Sequence, residues 1–311
     1  MLTYIIKKFW ILLLSLFLVA TLTFFLMHAI PGDPFTQDKA IPEEIMAALK
    51  KHYGLDRPLW VQYLSYLKGI VTFDLGPSFK YEGRTVSEII MQGFPISLEL
   101  GAEAIFLAIG LGISLGTLAA FNHLRWQDQF VMFFAVLGVS LPSFIVATAL
   151  QYVFSMKLEL LPVARWGSFT HSILPAVSLS LLPAAFIARL TRSNMVEILQ
   201  QDYILTARSK GLAPFRIAVV HVLRNALLPV ISFLGPLAAA VLTGSFVVEK
   251  IFGIPGLGGW FVMSVVNRDY TVIMGTTLFY SACLMVCVLV VDILYCLIDP
   301  RIKLNERVAE T

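Results

Sequence analysis

Gly112-Ile113-Ser114-Leu115-Gly116 has the G-x-S-x-G spacing of a hydrolase nucleophile elbow, where a strained strand-to-helix turn presents a serine hydroxyl to a carbonyl. Here the pentapeptide lies inside a long apolar run. Gly112 and Gly116 read instead as a small-xxx-small face that lets two membrane helices approach closely, and Ser114 is no nucleophile. Ile254-Pro255-Gly256-Leu257-Gly258-Gly259 is glycine-rich enough to suggest a phosphate cradle, yet G-x-x-x-x-G-K-[ST] occurs nowhere in the chain. Gly253, Pro255, Gly256 and Gly258 are expected to form an external gate, as a tight turn or short re-entrant hairpin whose backbone angles glycine supplies. None of the five histidines has a histidine or cysteine at i+3 or i+4, and H-E-x-x-H is missing, so no metal site is expected. Glu99 and Glu103 share one face of an apolar helix, where acids mark substrate pathways. They are candidate cavity-lining residues. Glu103 lies only about 12 Å beyond Pro95 at ~1.5 Å per residue, in a core roughly 30 Å thick, so it is near enough to the edge to be solvated. Asp292 reads as a helix-end acid, and Cys283, Cys287 and Cys296 as small fillers of the last apolar helix.

The segment Glu197 to Gly211, EILQQDYILTARSKG, has a different character. It reads as one polar, amphipathic helix ended by Gly211, with Arg208 and Lys210 complementing the negative end of the helix dipole. A solvated cationic face explains the charges but not Tyr203, Ile204 and Ala207 beside them. After it, Leu212 to Leu228, with Phe215, Ile217, Val219, Val220 and Leu223, is largely helical before Pro229 returns the chain to the membrane.

The elements that carry these residues follow from composition. With 58% hydrophobic and 14% charged residues, the chain cannot build a soluble surface, and its apolar runs approach the roughly 20 residues that cross a bilayer. About six spans are expected, near Phe9 to Ile30, Ile96 to Phe121, Gln129 to Met156, Ile173 to Arg189, Ala226 to Val248 and Val272 to Ile298. The first is too long for a signal-peptide apolar region and is read as retained. Lys7, Lys8, Arg125, Arg189, Arg192, Arg208, Lys210, Arg216, Arg224, Arg301, Lys303 and Arg307 collect on one side, against Lys157, Arg165, Lys250 and Arg268 in the short loops opposite. Both termini are therefore expected in the cytoplasm. The fold expected is all-α and polytopic, with a first helix over 1–30, an external helical cap over 31–95, and a core over 96–311 that contains a cytoplasmic loop, 190–226. Within the cap, Pro42-Glu43-Glu44 suggests a helix start, Leu59 to Leu67 an amphipathic helix, and Val86 to Gln92 a third short helix on the membrane surface.

Tyr203 to Pro229, YILTARSKGLAPFRIAVVHVLRNALLP, resembles the cytoplasmic EAA loop of the permeases of binding-protein-dependent ABC importers. Ala207 and Gly211 match the motif's second alanine and its glycine; Leu205 and Thr206 replace its glutamate and first alanine, and Arg224 replaces a proline. IPGDPF at 30 to 35, HYGLDRPLWVQYLSYLKG at 52 to 69, DLGPSFKY at 74 to 81, GSFVVEKIFGIPGLG at 244 to 258, NRDY at 267 to 270 and IDPRI at 298 to 302 extend the similarity along nearly the whole chain, toward the oligopeptide permease B type. The resemblance implies a type I ABC importer (MetI-like) fold in a bacterial inner membrane and one half of a heterodimeric pore. Its implied partners are a homologous permease, two cytoplasmic ATPase subunits that bind ATP and Mg, and an external peptide-binding protein. No cofactor is expected in this chain. Asp202, Tyr203, Thr206, Ala207, Arg208, Lys210 and Gly211 become the implied ATPase-coupling residues. A secondary transporter is the rival reading, but it needs coupling-ion groups at the midplane, and none occurs there.

The charge asymmetry makes a topological prediction. A cysteine replacing Gln201 should react with an impermeant thiol reagent only from the cytoplasmic side, and one replacing Gly83 only from outside; labelling of both from one side would overturn the six-span arrangement.

Overall fold

The computed structural model describes residues 2–30, 43–213 and 216–298. Of the segments named above, Pro31 to Pro42, Phe215, and Asp299 onward lie outside these residues. Among the described residues every regular element is a helix, and one isolated antiparallel bridge joins Pro77 to Thr85. The chain divides into two compact units, Met1–Pro95 with Gly256–Met285, and Ile96–Pro255 with Val286–Thr311.

In the first unit, α1 (Leu2–Ala29) is apolar around its circumference, as a membrane helix must be. Helix α2 (Glu43–His52) precedes α3 (Leu59–Thr72), which packs on α1. Tyr63 and Thr21 share a hydrogen bond of 2.7 Å, His28 lies 3.2 Å from Gln62 Oε1, and Phe24 stacks on Tyr66 with ring centroids 5.7 Å apart. Burial, with Tyr63 adding to it, pushes the Tyr66 phenol up to about 12, so it stays neutral.

The expected short surface helix at Val86 to Gln92 is instead the opening of α4 (Val86–Phe121), a helix of 36 residues. Its start is fixed by a reciprocal cap: Glu88 N donates to Thr85 Oγ1 at 3.2 Å, and Thr85 N donates to Glu88 Oε2 at 3.0 Å. Pro95 sits inside the helix, where it removes one backbone bond without ending it. Val86, Ile89 and Ile90 form an apolar cluster with Leu257 of α11 (Leu257–Asn267) and Val272 of α12 (Tyr270–Ile298).

The second unit is organised around α7 (Phe169–Leu199), which packs against α5 (Trp126–Ser140), α6 (Ser143–Leu150), α9 (Arg224–Leu242) and α10 (Phe246–Phe252). A π-helical turn, Gln151–Lys157, extends α6, and another, Ile217–Leu223, leads into α9. The close-approach reading of Gly112 and Gly116 is borne out. A Cβ on Gly112 would lie 2.6 Å from Ile187 Cβ, and one on Gly116 would lie 2.5 Å from the Ala188 carbonyl oxygen.

Among the described residues five helices are long and apolar enough to cross a membrane: Ile6–Ala29, Val86–Phe121, Phe169–Leu199, Ile217–Leu242 and Tyr270–Leu294. Two further helix pairs pass that test only jointly, α5 with the extended α6, and α10 with α11, which brackets the expected number. Two expected spans are corrected. Gln129 to Met156 is not one straight helix but α5 and α6, bent by 105° at Leu141-Pro142. Proline lacks the amide hydrogen and pushes the preceding residue out of the helical region, and Leu141 is extended at φ −87, ψ 122. The span expected from Ala226 to Val248 begins at Ile217 and ends at Leu242, before a break at Gly244, whose φ is +99.

The tight α4–α7 contact makes a stability prediction. Gly116→Leu should overpack it by about 1–3 kcal/mol, lowering the unfolding temperature in detergent and the membrane abundance. Gly110→Ala, where nothing lies within 4 Å of the added carbon, should change neither.

Candidate functional site

The expected single helix from Glu197 to Gly211 is two. Helix α7 ends at Leu199, Gln201 is extended at φ −73, ψ 145, and a new helix, α8 (Asp202–Ser209), begins. The turn folds α8 back onto its own chain. Ile204 is fully buried and Ala207 is 7% exposed, on an apolar bed of Ala120, Met195, Ile217, Val222 and Ala226. Tyr203 is fixed at the edge: its hydroxyl donates to the His221 carbonyl at 3.4 Å and accepts from Asn225 Nδ2 at 3.1 Å.

Of the implied coupling residues, only Ala207 therefore faces inward; Asp202, Tyr203, Thr206, Arg208, Lys210 and Gly211 are exposed. Asp202 and Arg208 stand at the first and last turns, each complementing the dipole. Leu205, which stands where the motif has glutamate, is also outward, at 51% exposed. Its signal was available, since the residue beside inward Ile204 must turn about 100° away on a helix of 3.6 residues per turn. Gly211 is left-handed at φ +74, with its N–H donating to the Arg208 carbonyl at 2.9 Å. Nothing lies within 4 Å of a Cβ there, so glycine is required by the backbone angle and not by space.

About two turns back from the end of α7, Arg192 forms a fork on Asp128 in the first turn of α5, Nε to Oδ1 and Nη2 to Oδ2, both at 2.7 Å. Asp128 is 2% exposed and also accepts from Leu124 N at 2.9 Å. Sequence reasoning missed this pair because the partners are 64 residues apart and Arg192 counted only as a positive-inside charge.

On the expected external side, Gly253 caps α10 at φ +63, Gly256 is extended at the start of α11, and Gly258 is buried. Gly253, Pro255, Gly256 and Gly258 thus form a tight turn between two short helices. Gly93 of α4 lies against the start of α11, since a Cβ there would meet Leu257 N and Cα at 3.0 Å. The quoted segments 74–81 and 267–270 are brought together by Asp269, which is fully buried. Asp269 accepts from the Ser78 hydroxyl, from Phe79 N at 3.2 Å and from Thr271 Oγ1 at 3.0 Å, while Tyr81 and Arg84 pack on Trp260. Glu99 is exposed and Glu103 half-buried, and they join neither group. Among the described residues no group of three or more His, Cys, Asp or Glu could hold a metal.

Two family patterns match the chain. Residues 112–304 match the binding-protein-dependent transport system inner membrane component, and residues 1–101 match the N-terminal part of such membrane components. The chain belongs to this family. It is a multi-pass inner-membrane permease subunit with the MetI-like fold, a transport component and not an enzyme; nothing supports the rival secondary-transporter reading. The permease is 51% identical over 304 residues to the dipeptide transport system permease protein DppB of Bacillus subtilis, covering 98% of this chain and 99% of that one. It is 44% identical to DppB of Lactococcus lactis, over 98% of this chain and all of the relative, and 44% identical to the oligopeptide transport system permease protein OppB of Salmonella typhimurium, over 97% of this chain and all of the relative.

Glu103 is half-buried at the middle of α4 and joins neither polar group, so Glu103→Gln in the permease should change uptake by less than about twofold. A larger loss at normal membrane abundance would place Glu103 on the substrate path.

Proposed function

We propose that the permease forms half of the translocation pore of an ATP-driven peptide importer, with α8 as the element that docks a cytoplasmic ATPase subunit. Both termini then lie in the cytoplasm. A homologous permease completes the pore, two ATPase subunits bind ATP and Mg, and an external binding protein delivers the peptide. The observation that carries this reading is the division of α8: Ile204 and Ala207 anchor it to the chain's own core, and Tyr203, Leu205, Arg208 and Lys210 are left on an outward face. An anchored helix with an exposed apolar side chain amid cations is a handle by which a partner's movement reaches the membrane helices. Nucleotide can drive such movement only by favouring one of the two pore states.

Peptides are the cargo that the relatives' names share. The segment DLGPSFKY favours oligopeptides, and the 51%-identical relative carries the dipeptide name, so the length taken is decided by measurement. Co-purified partners can be reconstituted in vesicles and offered a casein hydrolysate, and the peptides that enter can be identified by mass spectrometry.

The docking face is tested by Leu205→Asp and Gly211→Val. Leu205→Asp should leave the permease inserted at normal abundance yet release the ATPase subunits. Gly211→Val forces a β-branched residue into a left-handed angle at roughly 1–2 kcal/mol, and it should retain the ATPases while uptake and peptide-stimulated ATP hydrolysis collapse. Wild-type stimulation in both would remove α8 as the coupling element.

A further inference from the structure

Asp128, buried, and Arg192, half-buried, form an ion pair in the second unit, and nothing in the docking of α8 uses them directly. Asp128 is 2% exposed, in the first turn of α5, and both of its oxygens are engaged by the planar guanidinium of Arg192 at 2.7 Å. Oδ2 also takes the backbone N–H of Leu124 at 2.9 Å. Leu124 stands at φ +63, a left-handed angle that a residue with a side chain adopts at a cost, so the carboxylate holds the α4–α5 turn in a shape the chain would not otherwise keep. His123 Nδ1 completes the group, 3.1 Å from Arg192 Nη2 and 3.3 Å from Asp128 Oδ2.

The location gives the cluster its meaning. Arg192 is three residues before Met195, which is fully buried in the bed beneath α8. The same turn of α7 therefore holds the docking helix through Met195 and α5 through Arg192. Ala120, at the end of α4, lies in that bed too, directly before the turn that Asp128 caps. A buried ion pair is a poor source of net stability, but its fork and N–H contacts fix orientation, which apolar packing alone leaves loose. Farther along, α5 ends at the 105° break at Leu141-Pro142, so whatever moves its cytoplasmic end bears on that bend.

We propose that Asp128 and Arg192 are a positioning pair for energy coupling: they lock the start of α5 to α7, so that displacement of α8 moves the bent α5–α6 segment together with α7. This rests on the reading of α8 as the ATPase-docking helix. Without the fork, α7 would follow α8 and α5 would lag.

The test uses the complete importer in vesicles with its binding protein and a casein hydrolysate, measuring peptide taken up per ATP hydrolysed. Arg192→Lys keeps the charge and the stem but offers a point where the fork was. It should leave membrane abundance and retention of the ATPase subunits as in the wild type, while uptake per ATP falls by at least about fivefold, the low end for energetically coupled sites. Asp128→Asn, which preserves size and can still accept from Leu124 N, should show the same loss, and the double variant should be no worse than either single one because one unit has been broken. Unchanged uptake per ATP in Arg192→Lys, or a fall in uptake that only tracks a fall in abundance, would reduce the pair to a structural tie. Additive losses, or loss of the ATPase subunits from these variants, would also overturn the proposal. The docking reading stands or falls separately, on whether Leu205→Asp releases the ATPases.

Discussion

The close approach of α4 to α7 is the contact on which the larger unit depends. Inside a bilayer, lipid tails satisfy apolar side chains as well as other helices do, so helices associate by packing of surfaces and by polar contacts. Gly112 and Gly116 bring the α4 backbone against Ile187, Ala188 and Thr191, closer than any side chain would allow. The same device recurs where Gly138 of α5 meets Ala185, and where a Cβ on Gly101 would lie 2.8 Å from Leu242 Cα. Helix α7 thereby becomes a spine, and its C-terminal part, bearing Arg192 and Met195, is held both to α5 and to the bed beneath α8.

The bed beneath α8 is built from α4, α7 and the segment leading into α9, so α8 is tied to several long helices at once. The cost of the arrangement is that Ala207 is unavailable to a partner. A charge there would be buried in the permease's own core, leaving the loop unable to seat, and its effect would say little about docking.

Much of this was legible in the sequence because apolar length is a strong signal. The long helices, the close approach at Gly112 and Gly116 and the left-handed cap at Gly211 all follow from it and from residue chemistry. What was lost has definable causes. The reciprocal cap of Thr85 and Glu88 was written in the sequence, but Pro95 read as a better helix boundary, and a proline about two and a half turns into an apolar helix costs only one backbone bond. The break at Pro142 hid inside an uninterrupted apolar run, where span length outweighed the proline. The pairing of Asp128 with Arg192 is long-range and leaves no periodic trace. The split between α7 and α8 comes from tertiary burial of Ile204 and Ala207, which overrides the helical continuity suggested by composition.

The carboxylate of Asp269 has a further bearing, on biosynthesis. Its Ser78 partner is 191 residues earlier in the chain. At a ribosomal rate of about 5–20 residues per second, the DLGPSFKY segment would wait roughly 10–40 s for that aspartate to be made. Closing so long a loop is also entropically demanding. The segment around Ser78 is therefore among the last parts of the molecule to set, and until then Ser78 and the amide of Phe79 must find other partners, in water or on a chaperone. A defect at Asp269 would surface first as slow maturation and turnover of newly inserted chains, before any fault in the finished protein could be seen.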